Sequence, residues 1–130
     1  MTSDYLFVYG TLMQGFNNPF AEKLRQSASF EGYGRVAGIL YQITWYPGAI
    51  YLPDASATIY GEIYKLAPNT GLLAELDEYE DVCEDQGLYR RIKVPVLTKN
   101  ERTIHCWIYV YNQSVGGLRQ IESGDFRDPA

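Results

Sequence analysis

The sequence predicts an α+β fold, a compact mixed barrel or strongly curved sheet with one main helix. Three observations carry that expectation. Runs rich in aromatic and β-branched residues recur along the chain as strand patterns. A single acidic run, Glu75 to Glu80, reads as helix, with Leu72, Leu73, Leu76 and Tyr79 setting its apolar face. Glycines at 32, 34 and 38 interrupt the longest strand pattern, where glycine commonly marks a bulge or close approach.

The first element, Tyr5 to Tyr9, is a short apolar run that ends at Gly10, which reads as a buried strand entering a glycine turn. Asn17-Asn18-Pro19 then punctuates the chain, and Phe20 to Gln26 is expected to form a short helix after the proline. Ala28 to Thr44 alternates apolar and polar residues and predicts a long bent strand or a pair of strands. Tyr46-Pro47-Gly48 reads as a turn. Ile59 to Leu66 alternates, with Ile59, Gly61, Ile63 and Lys65 on one face and Tyr60, Glu62, Tyr64 and Leu66 on the other.

Pro68-Asn69-Thr70 ends that strand and offers Asn69 or Thr70 as N-cap of the main helix. Strands follow at Leu88 to Leu97 and Thr103 to Tyr111, joined by a Lys99-Asn100-Glu101 turn. In the polar tail, the spacing of Leu118 and Ile121 predicts one short helical turn. No repeat, linker or low-complexity stretch divides the chain, so residues 1–130 read as one domain.

Composition narrows the function. An apolar fraction of 46% and a charged fraction of 21% are those of a soluble globule. The net charge of −5, with no basic stripe, argues against nucleic acid as a partner. No apolar run has the length of a membrane span, and a strand pattern by Tyr5 leaves no room for a signal peptide. A cytoplasmic protein is therefore expected. Cys83 and Cys106 lack metal-site spacing and are expected as reduced thiols. Twelve tyrosines suit either a pocket lined by hydroxyls or a sheet with aromatic cross-strand pairs.

Several constellations bear on chemistry. Tyr9-Gly10-Thr11-Leu12-Met13-Gln14-Gly15 has two glycines spaced as in a phosphate loop, but Phe16-Asn17 stands where Lys and Ser/Thr are required. What remains is a glycine turn whose backbone N–H groups can hold a carboxylate or an oxyanion. His105 is the only histidine and lies mid-strand, without the partners of a triad or a metal site. Of Arg90 and Arg91, one is expected in solvent and the other paired with an acid such as Glu62.

The helical run sets one acid apart. With Leu76 at zero, Leu72, Leu73 and Tyr79 form an apolar arc, and Glu80 falls inside it at about +40°. Glu75, Asp77 and Glu78 lie about 100° or more from its centre. A carboxylate aimed into an apolar interior has a raised pKa, which suits a proton carrier near neutral pH. The alternative is that the helix ends before residue 80 and leaves Glu80 in water.

Taken together, these segments resemble the gamma-glutamylcyclotransferase-like family, in its gamma-glutamylamine cyclotransferase branch and among its small bacterial members. The residues are Tyr9-Gly10-Thr11-Leu12, Tyr46-Pro47-Gly48-Ala49, Gly61-Glu62-Ile63-Tyr64, Leu76-Asp77-Glu78-Tyr79-Glu80, Leu88-Tyr89-Arg90-Arg91, Ile108-Tyr109-Val110-Tyr111 and Ile121-Glu122-Ser123-Gly124-Asp125-Phe126. The resemblance implies a compact mixed barrel and an enzyme that releases 5-oxoproline from small gamma-glutamyl compounds, with no cofactor and no metal. It implies Glu80 as the catalytic general base and acid. It implies Tyr9, Gly10, Thr11 and Leu12 as the substrate-binding loop, with Tyr89 beside the pocket. Two other readings stand beside it. One is a non-catalytic module on the same fold that binds small carboxylates or a protein. The other is a paired-carboxylate glycosidase using Glu62 with Glu80.

Overall fold

The computed structural model describes residues 4–16, 18–44, 46–67, 71–79 and 87–127. Strand β1 (Asp4–Val8) starts exposed and becomes buried on both faces. Phe7, followed by Tyr9, packs into one core, while Leu6 and Val8 pack into a second. That is why its sequence is a continuous apolar run rather than an alternating one. Helix α1 (Pro19–Ser27) begins where Asn18 Oδ1 accepts the Ala21 N–H at 2.8 Å, with Pro19 in the first turn, where no N–H is missed. Its Ala21 and Leu24 are buried.

The remaining elements are β2 (Ala28–Gln42), β3 (Pro47–Tyr51), β4 (Thr58–Leu66), α2 (Leu72–Tyr79), β5 (Tyr89–Thr98), β6 (Thr103–Tyr111) and β7 (Arg119–Gln120). Five strands close into a ring. β2 pairs with β4, β4 with β1, β1 with β6, β6 with β5, and β5 returns to β2. Only the β1–β6 pair of this ring is parallel. The long β2 makes closure possible. Its register against β4 shifts between Phe30 and Gly32, and bulges of this kind bend a strand. Past Ala37, β2 leaves β4 and pairs with β3 and β7.

The ring encloses Phe7, Val36, Ile59, Ile63, Val94, Val96, Cys106 and Ile108. The outward residues Leu6, Val8, Tyr64, Leu66 and Tyr109 pack beneath Ala21, Leu24, Leu72 and Leu76 of the two helices. Truncating a fully buried residue such as Leu24 or Leu76 to alanine would cost about 2–5 kcal/mol. This five-stranded ring under two helices is the mixed α+β barrel that the sequence predicts. None of the described helices is long and apolar enough to cross a membrane.

Local expectations fared unevenly. Ala28 to Gln42 is one bent strand rather than two. Pro47 does not sit in a turn but opens β3, and the reversal precedes it, closed by the Ile43 N–H on the Tyr46 carbonyl at 3.0 Å. Proline is tolerated as the first residue of a strand, where no ladder donor is needed. Leu118 to Ile121 forms no helical turn. β7 pairs with β2, and the Ile121 N–H donates to the Leu40 carbonyl at 2.7 Å. The expected caps Asn69 and Thr70 lie outside the described residues, as does Cys83.

Candidate active site

The end of β1 opens onto a cavity of about 170 Å³. The run Phe7 to Leu12 forms one wall, Tyr46 and Pro47 a second, and Leu88, Tyr89 and Tyr109 a third. No acidic or basic side chain is among these described lining residues. The space is small against the roughly 300–1,000 Å³ of drug-sized pockets, which points to a metabolite.

Tyrosines hold the walls together. The Tyr9 hydroxyl donates to the Tyr109 carbonyl and accepts the Ala49 N–H at 3.2 Å, so one side chain ties β1 to β6 and β3. The Tyr89 hydroxyl donates to the Pro47 carbonyl. Its ring lies 6.3 Å from that of Tyr46 and 5.7 Å, edge on, from that of Tyr111. The Tyr109 hydroxyl donates to Asp77 Oδ1 at 2.7 Å, and the same oxygen forms an ion pair with Arg91 Nε at 3.2 Å. Helix α2 is thereby fastened to β5 and β6.

The turn after β1 is held by its carbonyls. The Gly10 carbonyl accepts the Met13 N–H at 3.1 Å, and the Thr11 carbonyl accepts Asn18 Nδ2 at 2.9 Å. Asn18 therefore caps α1 and fixes the turn at once. Among the described residues, no hydrogen-bond partner takes the N–H groups of Gly10, Thr11 or Leu12. Such donors, at the edge of an apolar cavity, are what an incoming carboxylate or oxyanion needs. Gly10 has no room for a side chain, since a Cβ there would lie 2.9 Å from Pro47 Cγ, on a rigid ring.

Tyr9, Gly10, Thr11, Leu12 and Tyr89, all expected at the site, border this one cavity. Glu80 lies outside the described residues, one position beyond the end of α2. Leu72 and Leu76 are buried, as the helical projection requires. The walls from Tyr46, Pro47, Leu88 and Tyr109 were not foreseen as lining residues, although each belongs to a segment already picked out as a motif.

Other candidates fall away from the cavity. Glu62 is only 1% exposed, but it shares the outer face of β4 with Tyr64 and does not line the cavity. Its Oε1 accepts the Gln14 N–H at 2.9 Å and the Tyr64 hydroxyl at 3.0 Å, and its Oε2 lies 3.5 Å from Arg127 Nη1. Burial first, and the Glu62 carboxylate second, push the Tyr64 phenol well above its ordinary range, so it remains a donor. Of the two arginines one is exposed and the other pairs with an acid, as expected, but that acid is Asp77 rather than Glu62. Arg91 takes Asp77, Arg127 takes Glu62, and Arg90 is exposed. Cys106 points into the barrel, where burial pushes its thiol up to about 12, while His105 is exposed on β6. Adjacent strand residues face opposite ways, so the two form no nucleophile–base pair. Among the described residues no cluster of three or more His, Cys, Asp or Glu could hold a metal ion.

Comparison with known proteins agrees with this architecture. A model of the family described as gamma-glutamyl cyclotransferase, AIG2-like, matches residues 6–128. The gamma-glutamylcyclotransferase family protein YtfP of Escherichia coli is 33% identical over 128 residues, covering 95% of this chain and 96% of that protein. The solution NMR structure of that protein matches with a TM-score of 0.66 at 34% identity, over 95% of this chain and 96% of the other. A crystal structure of an AIG2-like protein from Mus musculus matches with a TM-score of 0.72 at 26% identity, over 89% and 82% of the two chains. The gamma-L-glutamyl-butirosin B gamma-glutamyl cyclotransferase of Niallia circulans is 31% identical over 110 residues, covering 83% of this chain and 67% of that protein.

Proposed function

The chain belongs to the gamma-glutamyl cyclotransferase, AIG2-like family, and we propose that it releases 5-oxoproline and a free amine from a gamma-glutamyl amine or isopeptide. The α-amine of the glutamyl group attacks its own γ-carbonyl, a C–N bond closes the five-membered ring, and the C–N bond to the departing amine breaks. The step is redox-neutral and consumes no water. The enzyme's first task is to fold a flexible chain into attacking geometry, which can account for roughly 7–11 kcal/mol of a barrier.

The α-ammonium, with an ordinary pKa of roughly 8, must lose a proton before it attacks. Glu80 is the proposed acceptor, and it returns a proton to the departing nitrogen. The N–H groups of Gly10, Thr11 and Leu12 hold the α-carboxylate or the oxyanion. Losing one donor that serves the oxyanion would cost about 2.7–4 kcal/mol.

The observation that carries this reading is the Gly10–Leu12 turn, whose N–H groups have no partner among the described residues and stand at the rim of a metabolite-sized cavity. The Niallia circulans relative is likewise named for a gamma-L-glutamyl compound, gamma-L-glutamyl-butirosin B. The test is incubation with a panel of gamma-glutamyl amides, assayed for 5-oxoproline and amine. Wild-type turnover that is lost in Glu80→Gln supports the proposal. Equal turnover by both removes Glu80 from the chemistry, and binding without turnover favours a carboxylate-binding module.

A further inference from the structure

The C-terminal segment, at Gly124, bonds to the edge of β4 beyond the end of β1 and meets the turn that follows β1. The Tyr60 N–H donates to the Gly124 carbonyl at 2.8 Å, and the Gly124 N–H donates to the Ile121 carbonyl at 3.0 Å. Gly124 has φ +71°, and a Cβ there would lie 1.8 Å from the Thr58 carbonyl oxygen, so this crossing admits only glycine. Beyond it, the Phe126 ring stacks on Phe16 of the turn at 5.6 Å. Arg127 is held by Asp125 through Nε–Oδ1 at 2.9 Å and Nη2–Oδ2 at 3.2 Å, with its guanidinium 5.5 Å from the Tyr33 ring. Thus oriented, it reaches Glu62 Oε2.

Glu62 stands opposite Val8 in the β1–β4 ladder, beside the last residue of β1. A carboxylate 1% exposed is costly unless its oxygens are satisfied, and here three separate segments satisfy them. The turn supplies the Gln14 N–H, β4 supplies the Tyr64 hydroxyl, and the C-terminal segment supplies Arg127. An apolar residue would fill the space without the desolvation cost, so packing alone does not account for an acid here.

We propose that Glu62 is a positioning residue for the substrate turn, and that the Phe126–Arg127 segment is a clasp acting through it. Glu62 touches neither the cavity nor a ligand within it. It acts by capturing the Gln14 N–H, which fixes the chain two residues past Leu12 and with it the direction of the Gly10–Leu12 donors. Arg127 holds the carboxylate in place, and the Phe16–Phe126 stack packs the C-terminal segment against the turn. The role in binding substrate rests on the cyclotransferase reading, whereas the mechanical coupling does not.

The test uses the full chain with Glu62→Leu, Glu62→Gln and Arg127→Met. Amide hydrogen exchange at residues 10–16 is read alongside KM and kcat for 5-oxoproline release. Glu62→Leu should speed exchange of the Gln14 amide by about tenfold or more, while the β5 and β6 amides stay protected. It should raise KM by about tenfold or more and change kcat far less. Glu62→Gln keeps an acceptor for Gln14 and should restore both readouts most of the way. Arg127→Met should give a smaller change of the same sign, and it decides the matter should Glu62→Leu fail to fold. Unchanged exchange at Gln14 in folded Glu62→Leu or in Arg127→Met overturns the clasp. Wild-type protein that turns over no gamma-glutamyl amide defeats the cyclotransferase reading, and the exchange data still decide the coupling.

Discussion

The Tyr109 hydroxyl lies 2.7 Å from Asp77 Oδ1, while the Tyr109 carbonyl accepts the hydroxyl of Tyr9. One residue of β6 thus joins helix α2, on the outside of the barrel, to the start of the turn that follows β1. Helix α2, which ends one residue before the proposed base, and the turn with the proposed donors are fastened to the same strand. Small displacements in such a constellation are expensive, because attack requires near-contact geometry.

Removing the hydroxyl of Tyr9 tests this fastening. Tyr9→Phe withdraws the partner of the Tyr109 carbonyl and of the Ala49 N–H, both buried contacts. The expected loss is about 1–3 kcal/mol, read as a lower denaturation midpoint with an unchanged slope. A midpoint equal to that of the wild type would show that the hydroxyl does not hold these groups.

Asp77 separates helix anchoring from chemistry. Asp77→Ala deletes the acceptor for both Tyr109 and Arg91, whereas Asp77→Asn keeps an acceptor for Tyr109 but gives up the charge. The alanine variant should lose about 1–3 kcal/mol of stability, the asparagine variant less. In turnover of gamma-glutamyl amides, kcat should fall in the same order while KM moves little, because the helix leading to Glu80 is loosened and the turn is not. A rise in KM at constant kcat would contradict this division.

Cys106 predicts a pH dependence. Burial raises its thiol from an ordinary 9.0 to about 12. Between those values the folded chain keeps a proton that the unfolded chain releases. The stabilisation is therefore complete below pH 9 and is lost as pH rises toward 12. Tyr64, raised by burial and by Glu62, acts in the same direction. Denaturation midpoints should fall more steeply above pH 9 for the wild type than for Cys106→Val. In the native protein at pH 8, peptide mapping after iodoacetamide should find Cys106 unmodified, as expected for a thiol raised to about 12. Rapid native alkylation would mean that the barrel interior opens.

Much of the barrel was legible because its strands announce themselves locally. Tyr5 to Tyr9 is an apolar run with a glycine stop, and the alternation of Ile59 to Leu66 separates the two faces of β4. The cavity was legible in part, because Gly10 and the two residues after it form a recognisable glycine turn. What stayed hidden depends on distant partners. Pro47 looks like a turn residue until β2 supplies a neighbour at Gln42. The tail segment at Arg119 and Gln120 becomes a strand only because the same length of β2 has an open edge. Glu62 could be assigned a face but not a partner, since Gln14 is 48 residues away in sequence and Arg127 lies on another segment.

The most direct measurement of the central claim is product analysis in H₂¹⁸O with a gamma-glutamyl amide that the wild type turns over. Intramolecular ring closure predicts unlabelled 5-oxoproline in equal amount to the free amine. Labelled glutamate as the product would mean that water, not the substrate's own α-amine, attacks the γ-carbonyl, and would contradict the account.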